Sequence, residues 1–385
     1  MAKKQPTFIV AGHVDTDIHP AMPLPPEGLQ ALLVPGKLVE VGPAHVTTGG
    51  AVSNSGLALH RLGFRTLLVG KIGNDAFGRM VLDNYRQFGQ DLADNMIIDP
   101  GAVTSYSICI TPPGIDRMFW HCPGANHTFY AADVSDELMR SGDVFHFGYP
   151  PLMRSMYADG GKELVTLFRR AKEAGLTTSL DMALPDPDSE SGRVDWAAIL
   201  GRVLPYVDLF VPSLDETAYM LDPVRGPQIR EQSAADVPLG GCDAAEVERL
   251  CDRLIDMGTA VVMLKLGRQG AYLHATGDAA RLAACGRAGP ADTAAWRGAA
   301  LQAACFTVKV AGTTGSGDCT IAGFLAAVAQ GLGPAEALRM AVAVGSTSVE
   351  GHDGARELPP WPEIAARLAR GWPRDPSPVP FPNVV

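Results

Sequence analysis

Six short runs of apolar and β-branched residues, separated by stretches with helical periodicity, constrain the fold of this chain more than any other feature. They are Phe8–Gly12 (FIVAG), Thr66–Gly70 (TLLVG), Val144–Phe147 (VFHF), Thr178–Asp181 (TSLD), Leu209–Pro212 (LFVP) and Val261–Leu266 (VVMLKL). Each has the length and character of a buried strand. Gly49–Leu62, Asp75–Phe88, Gly161–Ala174, Ala244–Met257, Gly317–Gln330 and Pro334–Glu350 carry the pattern of helices. Such alternation predicts an α/β fold with a mainly parallel central sheet flanked by helices. A chain of 385 residues fits one large domain with a small addition better than two equal domains.

One region breaks the alternation. Ser105–Thr111 (SYSICIT) and Arg117–Cys122 (RMFWHC) are strand-like, and Pro112-Pro113-Gly114-Ile115-Asp116 between them has hairpin-turn composition. With Leu32–Val41 (LLVPGKLVEV) they predict a small antiparallel sheet, a lid drawn from about residues 14–48 and 102–127 and inserted in a domain spanning 1–371. An edge hairpin of the main sheet is the alternative. Asp222–Cys242 and the alanine-rich His274–Ala304 show little periodicity, the second suggesting an insertion around a hairpin. Trp372–Val385 holds five prolines and is expected to be an extended tail, residues 372–385.

The balance of 32 basic against 42 acidic residues gives a net charge of −10. It disfavours nucleic acid or an anionic membrane as a partner. It leaves room for a local phosphate site, because backbone N–H groups need no net positive charge. Seven cysteines, an odd number without a C-x-x-C pair, argue against disulfides or structural zinc and for reduced thiols in a cytoplasmic protein. His121 and Cys122 stand without the sequence partners a metal site needs. Met1 is followed by no leader-like apolar core, and no run approaches the ~18 apolar residues of a membrane span.

The most informative stretch is Phe306–Val310 followed by Gly312-Thr313-Thr314-Gly315-Ser316-Gly317-Asp318 and an apolar helix. A tight small-residue turn opening into a helix leaves the N–H groups of Gly315–Asp318 facing outward, aided by the helix dipole. That is a cradle for phosphate oxygens, and Asp318 beside it can accept the proton of an attacking hydroxyl. A plain glycine turn with an aspartate cap is the structural alternative. The turn is neither a Walker A loop nor a dinucleotide fingerprint, since no Gly-Lys-Ser/Thr closes it and G-x-G-x-x-G is absent. A second signature, Thr48-Gly49-Gly50-Ala51-Val52-Ser53-Asn54, opens the first long helix; upstream, Asp15 and Asp17 leave the first strand. Carboxylates with an amide suit the hydroxyls of a polyol.

Taken in order, these pieces resemble the ribokinase-like (PfkB) carbohydrate kinase family. The match runs through G-G-x-x-x-N and V-G-x-I-G-x-D-x-F-G over Gly49–Gly78, then T-T-G-S-G-D-x-x-x-A-G-F over Thr313–Phe324. The resemblance implies a three-layer ribokinase-like fold with a small β-sheet lid. It also implies transfer of the γ-phosphate of ATP to a hydroxyl of a sugar or related polyol, with Mg²⁺. Asp318 then matches the general base, and Gly315, Ser316 and Gly317 the anion hole. Asp15, Asp17, Gly49, Gly50 and Asn54 match substrate-binding positions. Thr314, Lys265, Gly267 and Gly270 fall on the nucleotide side, and Glu216 matches the glutamate that helps hold Mg²⁺, through water. A homodimer through the lid sheet is a further expectation from the resemblance. Ser213 stands where the family has asparagine, and Gly312 replaces an aspartate of its monovalent-cation site, which argues against potassium activation. Lys265 stands where many members have threonine, as a phosphate neighbour or, more simply, a solvated lysine. A nucleoside kinase, or a degenerate sugar- or nucleotide-binding sensor, is the rival reading.

Overall fold

The structure is a computed structural model and describes all residues except 1–4, 24–27, 114–117, 223, 236 and 377–379. Its strands are β1 (Thr7–Gly12), β2 (Asp15–Pro20), β3 (Ala44–Gly49), β4 (Arg65–Val69), β5 (Lys71–Gly73), β6 (Ile97–Asp99) and β7 (Tyr106–Ile110). Then come β8 (Met118–Cys122), β9 (Val144–Gly148), β10 (Thr177–Leu180), β11 (Leu209–Phe210), β12 (Val261–Lys265), β13 (Ala271–Ala275) and β14 (Ala300–Ala303). The main sheet has the order β14-β13-β12-β11-β10-β9-β1-β4. The six apolar runs form its parallel part, from β4 to β12, while β13 and β14 are antiparallel additions.

Strand alternation divides the core into two layers. Phe8 and Val10 face a cluster with Leu57, Phe324 and Leu338, from the helices Gly50–Arg61, Ser316–Ala329 and Pro334–Ser348. Ile9 and Ala11 face the other, with Phe168 from Arg154–Glu173 and Leu254 from Ala244–Asp256. Helix, sheet and helix make the three layers. Backbone angles are non-helical at Ala158–Gly161, so the regular helix there begins near the glycine where the pattern starts.

The lid is a separate four-stranded sheet of order β3-β2-β7-β8. Its composition corrects the sequence expectation in two ways. Leu32–Val41 forms no strand: Gly36 turns the chain at φ 77°, and Leu38 is 95% exposed. The strands β2 and β3 take its place, and β2 pairs parallel with β7, so the sheet is mixed. The proposed hairpin turn lies partly outside the described residues, at 114–116. Chain passage from β1 to the lid depends on Gly12 (φ 127°), where a Cβ would come within 2.4 Å of the Gly148 carbonyl.

The described residues of the proline-rich tail are bound to the sheet edge. Their backbone pairs with Gln302 through Asn383 and Val385, Phe381 stacks on Tyr272 at 4.1 Å, and Trp372 stacks on Phe306 at 4.6 Å. This covers the outer edge of β14, where unpaired backbone groups would otherwise face solvent. Asp222–Cys242, weakly periodic in sequence, contains the helix Gly226–Ala234; His274–Ala304 contains the connection between β13 and β14. Among the described residues no helix is long and apolar enough to cross a membrane.

Candidate active site

The helix Ser316–Ala329 begins at Gly315, which is left-handed (φ 71°) as the turn requires. The Ser316 N–H is engaged by the Thr313 carbonyl at 3.3 Å. Gly317 and Asp318 lie in the first helical turn, where N–H groups have no intrahelical acceptor. Asp318 is 4% exposed. Its Oδ1 accepts from Ser55 Oγ at 3.0 Å, and its Oδ2 from Asn54 Nδ2 at 3.2 Å and Tyr149 Oη at 2.7 Å. Burial pushes its carboxyl above the ordinary range; the Tyr149 hydroxyl, the Lys265 charge and the other two donors oppose the rise. A buried carboxylate held by three donors is fixed in direction and poised to take a proton. The glycine pattern and Asn54 were visible in sequence. Ser55 and Tyr149 were not, because one adjoins a motif residue without a recognisable role and the other follows β9, far from either motif in sequence.

Behind the turn lies a charged cluster. Lys265, at the end of β12, is not solvated: its Nζ donates to Asp181 Oδ1 at 2.7 Å, with the two side chains 14% and 1% exposed. A Cβ at Gly317 would lie 3.9 Å from that Nζ, so the cation sits beneath the glycine turn. Burial pulls the Lys265 pKa down, but Asp181 and Glu216 reverse this and hold the ammonium protonated. Ser213 and Glu216 form a reciprocal capping box on the helix Leu214–Leu221, Ser213 N donating to Glu216 Oε2 at 2.7 Å. Serine at this position therefore has a structural reason. Asp181 Oδ2 is buried without a hydrogen-bond partner. Hard carboxylate oxygens in this arrangement, one of them unsatisfied, fit a magnesium ion.

Two clefts flank the turn. One, of about 530 Å³, is lined by Gly267, Gly270, Thr313, Ser316 and apolar side chains including Phe306 and Val349. The other, of about 440 Å³, is lined by Asp17, His19, Thr47, Asn54, Thr314 and Arg356. Thr314 thus lies on the lid side of the turn. Asp15 and Asp17 project from one face of β2 over Gly49, where a Cβ would come within 2.5 Å of Asp15 Oδ1 and closer still to Asp17 Oδ2. Gly50 is left-handed (φ 81°) and lets the helix start against the His13 carbonyl. His121 has partners that sequence spacing could not reveal. Its Nε2 is 3.4 Å from His13 Nε2, and its Nδ1 is 3.0 Å from Ser107 Oγ, which donates to Asp15 Oδ2 at 2.7 Å. With His13 and His121 each donating onward, these groups form one directional chain ending at Asp15. Asp15 Oδ1 stays buried without a partner.

A model of the pfkB family carbohydrate kinases matches residues 25–361. The chain belongs to this family. 2-Dehydro-3-deoxygluconokinase of Thermoproteus tenax is 28% identical over 342 residues, which cover 88% of this chain and 90% of that one. Probable fructokinase-3 of Arabidopsis thaliana is 33% identical over 141 residues, 36% of this chain and 40% of its own. Two solved structures share the fold at 18% identity. Arabidopsis thaliana ribokinase complexed with ribose and ATP gives a TM-score of 0.71, covering 94% of this chain and 99% of that one. Fructokinase from Xylella fastidiosa with bound ATP gives 0.70, covering 94% and 98%. The fold is ribokinase-like, and the protein is a carbohydrate kinase of the pfkB family.

Proposed function

We propose that this kinase moves the γ-phosphate of ATP to a hydroxyl of a sugar or related polyol seated under the lid, with Asp318 as general base. The supporting observation is the turn Thr313–Asp318 lying between two clefts, with a buried, triply held carboxylate at its end. The acceptor proton passes to Asp318 as its oxygen bonds to the γ-phosphorus, and the bond to the β-phosphate bridging oxygen breaks. The N–H groups at the Gly315-Ser316-Gly317 turn and the Asp318 that follows it, chiefly those of Gly317 and Asp318, meet the charge on the transferring group. Asp15, Asp17 and Asn54 accept or donate to acceptor hydroxyls, and Gly49 and Gly50 let the ring approach. Gly267 and Gly270 shape the nucleotide side, Thr314 closes the turn, and Lys265 supplies a cation beneath the phosphates. Glu216, with Asp181, would hold Mg²⁺ largely through water, and the ion would supply neutralisation of phosphate charge. The lid excludes water that would otherwise hydrolyse ATP.

The test is a panel of sugars, polyols and nucleosides with ATP and Mg²⁺, scored by phosphorylated product. Product with a sugar or polyol, lost in Asp318→Ala, is the expected result. Preferential phosphorylation of nucleosides, or no product from folded enzyme, would reject it. A homodimer through the lid sheet belongs to the same reading, supported by Phe119 and Trp120, each 53% exposed on the edge strand β8. Sedimentation should show a dimer that Trp120→Glu converts to monomer; a wild-type monomer rejects it.

A further inference from the structure

Tyr149 occupies a position that packing alone does not explain. It follows β9 directly, in the left-handed region (φ 66°, ψ 42°), which is uncommon for a bulky residue and recurs where function demands it. Pro150 and Pro151 follow it, and Gly148 before it leaves room only for hydrogen, since a Cβ would lie 2.2 Å from the Ala51 Cβ. The backbone is thus fixed on both sides, and the ring lies beside His13, centroids 6.2 Å apart. Its hydroxyl reaches Asp318 Oδ2 at 2.7 Å, shorter than the contacts from Ser55 and Asn54. Burial and the charges of Asp318 and Asp181 raise the tyrosine pKa well above its ordinary value, so the group stays a donor.

We propose that Tyr149 is a positioning residue for phosphoryl transfer: its hydroxyl pins Oδ2 of Asp318, turning the carboxylate toward the acceptor hydroxyl. The proposal rests on Asp318 being the base. Tyrosine keeps its proton throughout, and only the acceptor proton moves, onto Asp318. The charged and titratable groups around Asp318 are Lys265 from β12, Asp181 after β10, and Cys319 next to it in its own helix.

Tyr149→Phe keeps the ring and removes the donor. We expect kcat to fall about 10- to 100-fold with KM for ATP within twofold. The acid limb of kcat/KM should move to higher pH, because a carboxylate that loses a donor holds its proton more tightly. Asp318→Asn and the double variant should be equally slow, since the tyrosine acts through the carboxylate. A carbon-13 titration of the Asp318 carboxyl in wild type and Tyr149→Phe reads the same contact without turnover. An active wild type with unchanged kcat, acid limb and carboxyl titration in the variant overturns the role of Tyr149 alone. Full activity in Asp318→Asn overturns the base assignment and the proposal with it. If Tyr149→Phe unfolds, Tyr149→Trp, Tyr149→His and Tyr149→Leu serve instead; kcat that follows stability across these three, without a shift of the acid limb, overturns it too.

Discussion

Lys265 lies behind the turn that ends in Asp318, the two side chains carry opposite charges, and substitutions at each should fail differently. Asp318→Asn keeps the shape of the side chain and its contact with Ser55 while removing the proposed base. Turnover should fall about 10²- to 10⁴-fold with nucleotide affinity retained, measured by steady-state kinetics and ADP titration. Lys265→Met removes one half of a buried pair and strands Asp181, whose side chain is 1% exposed. The cost should be about 3–5 kcal/mol in a denaturant melt, and Asp181→Asn added to it should return most of that stability without restoring ATP affinity. The pair also shows what sequence withholds. Gly315 to Asp318 are contiguous, so their chemistry is legible in a line of text. Lys265 and Asp181 are 84 positions apart, and a lone lysine before Leu266-Gly267 looks solvated until the fold supplies its partner.

At the level of elements, the parallel strands were legible because each is a buried apolar run with no competing helical period. The lid strands β2 and β3 were not. Asp15, Asp17 and His19 in β2 break the apolar pattern, the last two lining the cleft, while Leu33, Val34 and Leu38 imitate a strand and stay exposed. The acidic face of β2 has a measurable consequence. Burial raises the Asp15 carboxyl to about 6; burial and the Asp15 charge raise Asp17 to about 8. The unfolded chain releases these protons near pH 4, so the folded state is the better proton binder between there and pH 8. The stability they contribute is complete below pH 4 and is lost as pH rises through 6 and 8. Without ligand, Tm should therefore fall between pH 5.5 and 8.5. Asp17→Asn should flatten that fall, raising Tm at pH 8.5 by roughly 2 °C or more. Calorimetry across that range decides it; identical slopes in the two proteins would show that the pair is solvated enough to titrate normally.

For the molecule as a whole, composition and alternation indicated one large α/β body, but they described its last residues only as an extended tail. The structure gives that tail two duties at once. Phe381 and Trp372 stack on Tyr272 and Phe306, and Arg374 donates to the Ala304 and Val385 carbonyls, so the segment completes the antiparallel edge of the sheet. Asp375 and Phe306 also line the cleft that holds Gly267 and Gly270. A proline-rich sequence has no periodicity to reveal such docking, because its contacts are made one aromatic at a time against residues 60 to 110 positions earlier. Removing residues 372–385 should lower Tm through loss of these stacked rings. It should also raise KM for ATP several-fold while leaving KM for the acceptor nearly unchanged, because the other cleft is lined from the lid, the Gly50–Arg61 helix, Thr314 and the stretch 352–357, and by no residue of the tail. Phe381→Ala, which loses the stacking on Tyr272 and does not touch the cleft that Asp375 lines, separates the two duties. It should reproduce part of the stability loss with less effect on ATP. Equal changes in both KM values on truncation would mean that the tail supports the whole body rather than the nucleotide side.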